Sequence, residues 1–95
     1  MNIKIQSINF TIDEKLKEFI NKKIKKVVSI DDSILNGNVF LRIEKLDSHD
    51  NKVVEIKLHS SIGEYFAKKQ CNSFEESADL AIQALRKQII KHKER

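Results

Sequence analysis

Two segments of this sequence carry apolar residues at the spacing of an α-helix, and each needs a surface on which to bury its stripe. A Thr or Ser followed three residues later by Glu precedes each stripe, at Thr11 and Glu14 and at Ser73 and Glu76, which predicts two capped helix starts. The first helix is predicted to end within residues 29–32 and the second to run to the end of the chain. The stripes consist of Leu16, Phe19, Ile20, Ile24 and Val27, and of Phe74, Ala78, Ala81, Ile82, Leu85 and Ile89.

Four other segments alternate apolar and polar residues, as strands with one buried face do. They are residues 3–10, with an irregularity near Ser7, and residues 39–46, 53–59 and 64–71. Residues 36–38 and 60–63 are predicted turns, and the polar residues 47–51 form a predicted hairpin loop. The order is therefore β-α-β-β-β-α. The simplest way to bury both helical stripes is an α+β two-layer sandwich, in which both helices cover one face of a four-stranded mixed sheet.

The length and composition of the chain indicate one soluble domain. Ninety-five residues can bury one modest core, and 40% of them are hydrophobic and spread in periodic runs, which argues against disorder. No apolar stretch is long enough for a secretory signal or a membrane span, so we expect a cytoplasmic protein without a membrane partner. The single Cys71 can form no internal disulfide and has no second Cys for a zinc or redox motif, so we expect it to be a small buried or half-buried strand residue.

The charges of the chain are segregated along the sequence. Residues 15–28 hold six lysines and one glutamate, a net charge of +5, and residues 86–95 hold five basic residues and one glutamate, a net charge of +4. These two segments together carry +9 while the whole chain carries +4, so the remaining residues carry a net charge of −5. Cations concentrated in two helical segments create a local field that attracts a polyanion such as nucleic acid.

The cations are predicted to lie in rows beside the apolar stripes rather than within them. The rows consist of Lys15, Lys22 and Lys26 on the first helix, and of Lys87 with Lys91 and Arg86 with Lys93 on the second. Such rows can follow a phosphate backbone, although a charged helix face is also common on soluble proteins, and lysines near a helix C-terminus complement its dipole. The aromatic residues form no RNA-recognition signature, so we expect recognition through phosphates and shape rather than base sequence.

Three segments resemble the family of ribosome hibernation-promoting factors and ribosome-associated inhibitors. They are FTIDEKLKEFI at residues 10–20 with the lysines that follow it, VFLRIEK at residues 39–45 and LRKQIIKHK at residues 85–93. The last is the most specific, because family members typically carry Arg-Gln-Leu-x-Lys-His-Lys there. The start of the second helix differs from the usual Asp-x-Tyr-Ala-Ala-Ile-Asp, since Phe74 stands one position before the expected aromatic residue. The resemblance covers nearly the whole chain.

The resemblance implies that the chain binds the ribosomal RNA of the small ribosomal subunit, in the channel used by messenger and transfer RNA, and silences idle ribosomes. The implied contacts to ribosomal RNA are Lys22, Lys23, Lys26, Lys87, Lys91, His92 and Lys93. With Lys15 and Arg86 from the helical rows, they make up the predicted RNA-binding set. Residues 1–95 are interpreted as a single ribosome-binding domain without the C-terminal dimerisation domain of long members. Short members of the family promote ribosome dimers in some bacteria together with a separate small protein.

The alternatives to this function are an enzyme and a binding module of another kind. None of the three histidines has a partner at catalytic or metal-ligand spacing, so we expect no enzyme activity, no cofactor, no metal and no small-molecule substrate. His92 continues the core stripe by helical angle, so packing and RNA contact are equally compatible with its position. A general structured-RNA-binding or protein-interaction module of the same fold remains the alternative. We expect a monomer, although the second face of the sheet leaves room for a homodimer or partner interface.

Overall fold

The computed structural model describes residues 2–44 and 49–93, and the predicted order of elements is confirmed. The elements are β1 (Asn2–Ser7), α1 (Glu14–Val28), β2 (Ile34–Ile43), β3 (Lys52–Ser60), β4 (Gly63–Cys71) and α2 (Phe74–Lys93). The sheet has the order β1-β2-β3-β4. Because β1 pairs in parallel with β2, while β3 is antiparallel to both β2 and β4, the sheet is mixed, as predicted.

The core lies between one face of this sheet and the two helices. Inward side chains of the three longer strands meet the helical stripes, and the hydrophobic effect of burying them holds the two layers together. The largest fully buried apolar side chains of this core are Ile20, Ile24, Val39, Leu41, Val54, Ile56, Leu58, Leu85 and Ile89. The predicted stripe residues Leu16, Phe19 and Phe74 lie at the rim of the core and are half-buried. Cys71 is a buried free thiol in β4, as expected.

The two helices lie side by side and run in the same direction. The rings of Phe10 and Phe74 stack at 5.0 Å just before α1 and at the start of α2. At the other end, the Lys93 ammonium donates a hydrogen bond to the carbonyl oxygen of Ile30, which follows α1. The C-termini of both helices, where the sequence concentrates its cations, are therefore neighbours.

The start of α1 differs from the prediction. β1 ends at Ser7, and Asn9 has a left-handed φ of 65°, a conformation that Asn tolerates better than most residues, so the chain turns before it can continue the strand. The helix begins later than the Thr11 pattern predicts. Asp13 is the N-cap, and its carboxylate accepts a hydrogen bond from the Lys15 amide at 3.4 Å. The second predicted cap is confirmed, because the Ser73 hydroxyl accepts from the Glu76 amide at 3.2 Å.

The predicted turn at residues 36–38 is wrong, because these residues belong to β2 and pair with β1 and β3. A methyl group added to Gly37 would lie 2.7 Å from Leu58 Cδ2 and 3.1 Å from Ile3 Cδ1. The glycine is therefore needed where side chains from both neighbouring strands approach the backbone closely, not for a reversal of the chain. The predicted continuation of this strand through residues 45–46, and residues 47–48 of the predicted loop, lie outside the described residues.

Candidate nucleic-acid interface

A groove between the two helices brings together cations from both basic segments. It has a volume of about 250 Å³, with Val27, Ile30 and Ile82 at its floor. Lys23, Lys26, Asp79, Gln83 and Arg86 complete its walls. We call this cleft the interhelical groove. Three of the predicted RNA-binding residues, one from α2 and two from α1, thus share one concave surface only because the helices pack side by side.

Lys23 is held in the interhelical groove by an ion pair within the protein. Its ammonium lies 2.9 Å from Asp79 Oδ1 and 5.2 Å from the centre of the Phe19 ring. Both charged side chains are about two-fifths exposed, at 41% and 39%, so the pair contributes on the order of 0–1 kcal/mol to stability. The pair partly neutralises a predicted RNA contact, and sequence reasoning did not find it because its members lie 56 positions apart.

The cations in the last turn of α2 point to two opposite flanks of the helix. Lys93 reaches toward α1 and hydrogen-bonds the Ile30 carbonyl, which satisfies an acceptor beyond the end of that helix. Lys91 and His92 lie on the opposite flank of α2, beside Tyr65 of β4. His92 is exposed, and its ring meets the Tyr65 ring edge-on at 6.1 Å between centroids. His92 therefore does not belong to the buried core. Packing within the core was one of the two alternatives that the sequence left open, and it does not apply.

A buried hydrogen bond between Tyr65 and Asp31 joins β4 to the segment that follows α1. Tyr65 is buried, and its hydroxyl donates a hydrogen bond of 3.0 Å to Asp31 Oδ2. The Ser33 amide and hydroxyl donate to Asp31 Oδ1 at 2.9 and 2.7 Å, and these two bonds, against the cost of burial, hold the pKa of the Asp31 carboxyl below its ordinary value. Burial and then the Asp31 carboxylate raise the pKa of the Tyr65 hydroxyl. Tyr65 therefore faces the core and is not available on the open sheet face for stacking with a base.

Two cations of the uncovered sheet face are paired with carboxylates, whereas most cations of the helices are not. On the sheet face not covered by helices, which we call the outer sheet face, Arg42 lies 2.7 Å from both Glu44 and Glu55, and Lys68 lies 3.7 Å from Glu55. Hydrogen bonds from Glu44 and then Glu55 raise the pKa of the Arg42 guanidinium. On the solvent side of the two helices, which we call the helix face, most cations form no ion pair with any carboxylate of the described residues, and six of them belong to the predicted RNA-binding set and have side chains without any other hydrogen bond or ring contact there. They are Lys15, Lys22, Lys26, Arg86, Lys87 and Lys91.

The lysines of the predicted rows are exposed on the helix face, but they do not form one continuous site. Lys22 and Lys26 are exposed and one turn apart, and Lys87 lies on the solvent side of α2, away from its buried stripe. Lys15 stands in the first turn of α1, about 10 Å along the helix axis from Lys22 by the rise per residue. Within the described ranges, no group of three or more His, Cys, Asp or Glu side chains could hold a metal ion. The surface is suited to binding a phosphate backbone by point charges.

Comparison with known proteins identifies a family model that spans almost the whole chain. Residues 3–95 match the model described as Sigma 54 modulation protein / S30EA ribosomal protein. A curated protein from Azotobacter vinelandii, the ribosome hibernation promoting factor, is 27% identical over 95 residues, which is all of this chain and 85% of that protein. Both the family model and the Azotobacter relative therefore match along nearly the entire chain and not only at one motif.

Two solved structures have the same fold. A ribosomal subunit interface protein from Coxiella burnetii superposes with a TM-score of 0.88 at 23% identity, and the match covers 100% of each chain. The N-terminal domain of Protein Y from Thermus thermophilus superposes with a TM-score of 0.83 at 20% identity, covering 97% of this chain and 99% of that one. At this level of identity the two structures establish a shared architecture.

Proposed function

This chain belongs to the Sigma 54 modulation protein / S30EA ribosomal protein family, and on that premise we propose that it is a ribosome hibernation factor. In this proposal the domain associates with the ribosome in the cytoplasm, binds the ribosomal RNA of the small subunit through its helix face and silences idle ribosomes. It acts by occupying a site and not by catalysis. The name of the Azotobacter relative, a ribosome hibernation promoting factor, supports the same biological role.

The observation that carries the proposal is the group of six helix-face cations without a carboxylate partner among the described residues. A solvated protein surface commonly mixes charges of both signs, as the outer sheet face does with Arg42, Glu44 and Glu55. Cations that face solvent unpaired are available to replace the counterions of a phosphate backbone, which is the main source of sequence-independent affinity for nucleic acids. The charge distribution therefore favours a polyanionic partner over an apolar one.

The arrangement of the helices supports recognition of RNA by shape. Parallel packing places Lys26 and Arg86 across the interhelical groove from each other, while Lys22 and Lys87 stand on its solvent side. A rigid pair of helices held on a sheet presents these charges at fixed separations, which matches a folded RNA better than a flexible basic tail does. The full proposed contact set is Lys15, Lys22, Lys23, Lys26, Arg86, Lys87, Lys91, His92 and Lys93.

Within this set, two residues have a second role. Lys23 is bonded to Asp79 and Lys93 to the Ile30 carbonyl, so both hold the two helices together as well as adding positive charge. His92 is uncommitted apart from its edge contact with Tyr65. We propose that phosphate contacts come first from the unpaired cations and that Lys23, Lys93 and His92 add to them.

Sedimentation with separated ribosomal subunits tests the proposal. We expect the domain to comigrate with small subunits and with empty whole ribosomes at low salt, and to dissociate as salt is raised. A second gradient of whole ribosomes shows whether the domain shifts them toward dimers. Comigration with neither subunit, in the presence of binding to other structured RNAs, would reduce the assignment to a general RNA-binding module.

A pair of charge-reversed variants identifies the surface. Lys87→Glu with Lys91→Glu reverses two exposed cations on the helix face, and Lys4→Glu with Lys57→Glu makes the same change in net charge on strands β1 and β3. Only the first variant should lose ribosome association. Equal loss in both would mean that net charge, and not the helix face, governs binding.

A further inference from the structure

Gln88 closes the free edge of the sheet. It lies on α2, and its side-chain amide makes two hydrogen bonds to the main chain of Phe66 in β4. Gln88 Nε2 donates to the Phe66 carbonyl oxygen at 2.8 Å, and the Phe66 amide donates to Gln88 Oε1 at 3.4 Å. A carboxamide carries the same donor and acceptor as a peptide group. Gln88 therefore occupies the position that one residue of a neighbouring strand would take.

The main-chain groups on either side of Phe66 also point outward. In an antiparallel ladder the residues whose N–H and C=O face the partner strand alternate with residues whose groups face away. Since the groups of Phe66 are bonded to Gln88 and not to β3, those of Glu64 and Lys68 point away from β3 as well. Both residues are exposed, and the described part of the chain has no strand beyond β4. An open edge of this kind is a template for another strand.

The sequence of this edge is complementary to itself. Centring an antiparallel copy of β4 on Phe66 places the two Phe66 residues opposite each other, Glu64 opposite Lys68 of the second copy, and Lys68 opposite the other Glu64. All three side chains lie on the outer sheet face, where Phe66 is 47% exposed. The same register makes each of these pairs a hydrogen-bonded one, because residues 64, 66 and 68 all direct their main-chain groups outward. Opposite charges and an aromatic pair favour this register over its neighbours.

We propose that the outer edge of β4 is a pairing surface for a second copy of this chain, and that Gln88 keeps it closed in the monomer. Opening requires only that the exposed Gln88 side chain rotates away, after which the edges of two molecules can form one continuous sheet. The groups that oppose pairing are Lys91, which lies beside Gln88 on α2, and Lys69, since each adds positive charge near the junction. Within the monomer, Glu64 is bonded to His59 at 3.0 Å and Lys68 to Glu55, but both remain about half exposed.

Removing the Gln88 amide tests the first half of the proposal. We expect Gln88→Ala to strengthen self-association by about tenfold or more over the native chain, since two main-chain groups at the centre of the edge lose their partner. Sedimentation velocity across a range of protein concentrations measures the change, and circular dichroism confirms that the exposed substitution leaves the fold intact. Gln88→Glu keeps an acceptor but loses the donor, and we expect it to fall between the two. A Gln88→Ala variant that stays as monomeric as the native chain would overturn the proposal.

Charge exchange tests the second half. In the Gln88→Ala background, Lys68→Glu places carboxylates opposite each other and should abolish association. Adding Glu64→Lys to that variant restores opposite charges in the same register and should restore the dimer. Association that ignores both changes, or that is lost without being restored, would show that another surface or an adventitious contact joins the molecules. Amide hydrogen exchange adds a direct readout, because protection should appear at Glu64 and Lys68 as the dimer forms.

Discussion

The hydroxyl of Tyr65 in β4 donates a hydrogen bond of 3.0 Å to the buried carboxylate of Asp31, which lies just beyond the end of α1. This bond joins the last strand of the sheet to the C-terminal end of the first helix. Tyr65 also carries the edge contact with His92. One side chain therefore links β4, the segment after α1 and the last turn of α2.

Replacing Tyr65 by Phe should destabilise the domain by about 1–2 kcal/mol, because a buried carboxylate oxygen loses its donor while the ring remains. The free energy of unfolding in urea measures the change. Asp31→Asn, alone and combined with Tyr65→Phe, completes a double-mutant cycle, and the two substitutions should be coupled rather than additive. A Tyr65→Phe variant as stable as the native domain would show that the bond contributes nothing net.

Acid should weaken the domain through Asp31. Its pKa is held below the ordinary value of 3.8 by the Ser33 amide and hydroxyl, so the folded state binds a proton less readily than the unfolded chain. The contribution of Asp31 to stability is therefore complete above the ordinary pKa and is lost as pH falls from about 5 through the lowered folded value. Urea unfolding at a series of pH values should show a shallower acid loss in Asp31→Asn than in the native domain. Parallel curves would assign the acid sensitivity to other carboxylates.

Affinity for ribosomes should fall linearly with the logarithm of salt concentration. Each phosphate contact contributes about 0.7 to 0.9 to the slope of log affinity against log salt, by the behaviour of nucleic-acid complexes in general. Lys22→Glu and Lys87→Glu should each lower the slope by roughly that amount, while Lys57→Glu on β3 should leave it unchanged. Fluorescence anisotropy of labelled domain with small subunits gives both affinity and slope. Identical slopes in all three variants would remove the helix face from the binding surface.

Removing the carboxylate in the interhelical groove should strengthen RNA binding. Asp79→Asn releases Lys23 and deletes one negative charge beside Lys26 and Arg86. Because the pair is well exposed, the cost in stability should be below about 1 kcal/mol. Glu75→Gln makes the same charge change one turn earlier on α2, outside the lining of the interhelical groove, and should have a smaller effect on affinity. Equal gains from the two variants would mean that only net charge matters.

Gly37→Ala should destabilise the fold by about 1–3 kcal/mol, because overpacking forces neighbouring groups to move. The added methyl group would lie 2.7 Å from Leu58 Cδ2, a fully buried side chain, and 3.3 Å from the Lys57 carbonyl oxygen. Asn38→Ala, one position further along the same strand, is the matched control and should cost less. The midpoint of urea unfolding separates the two, and a neutral Gly37→Ala would show that the strand can shift without cost.

Local patterns predicted most of the architecture, because the signals involved repeat within a few residues. The stripe that ends at Leu85 and Ile89 identified α2 and its buried face, and segregated lysines indicated the charged surface. What failed depended on distant contacts. The sequence Asn36-Gly37-Asn38 is typical of a turn. Only the close approach of Leu58 explains why a glycine stands within a strand there.

The sequence predicted which residues belong to the candidate site but not how they are arranged in space. Helical angles identify which lysines share a flank, yet they do not show that α1 and α2 run side by side in the same direction. That arrangement alone brings Lys26 and Arg86 to one groove and gives Lys23 its partner in Asp79. The bonds from Tyr65 to Asp31 and from Gln88 to Phe66 likewise join residues 34 and 22 positions apart, beyond the reach of any local pattern.

The unequal pairing of cations on the two faces also has a kinetic consequence. The two helices carry mostly unpaired cations, while Arg42 and Lys68 on the outer sheet face are paired with carboxylates, so the domain has an electric dipole that a large polyanion can turn before any contact forms. A domain that approaches the polyanion in any orientation is turned so that its helix face makes contact first. A larger share of collisions is then productive. The rate of capture, and not only the strength of the final complex, is therefore set by where the carboxylates have been placed.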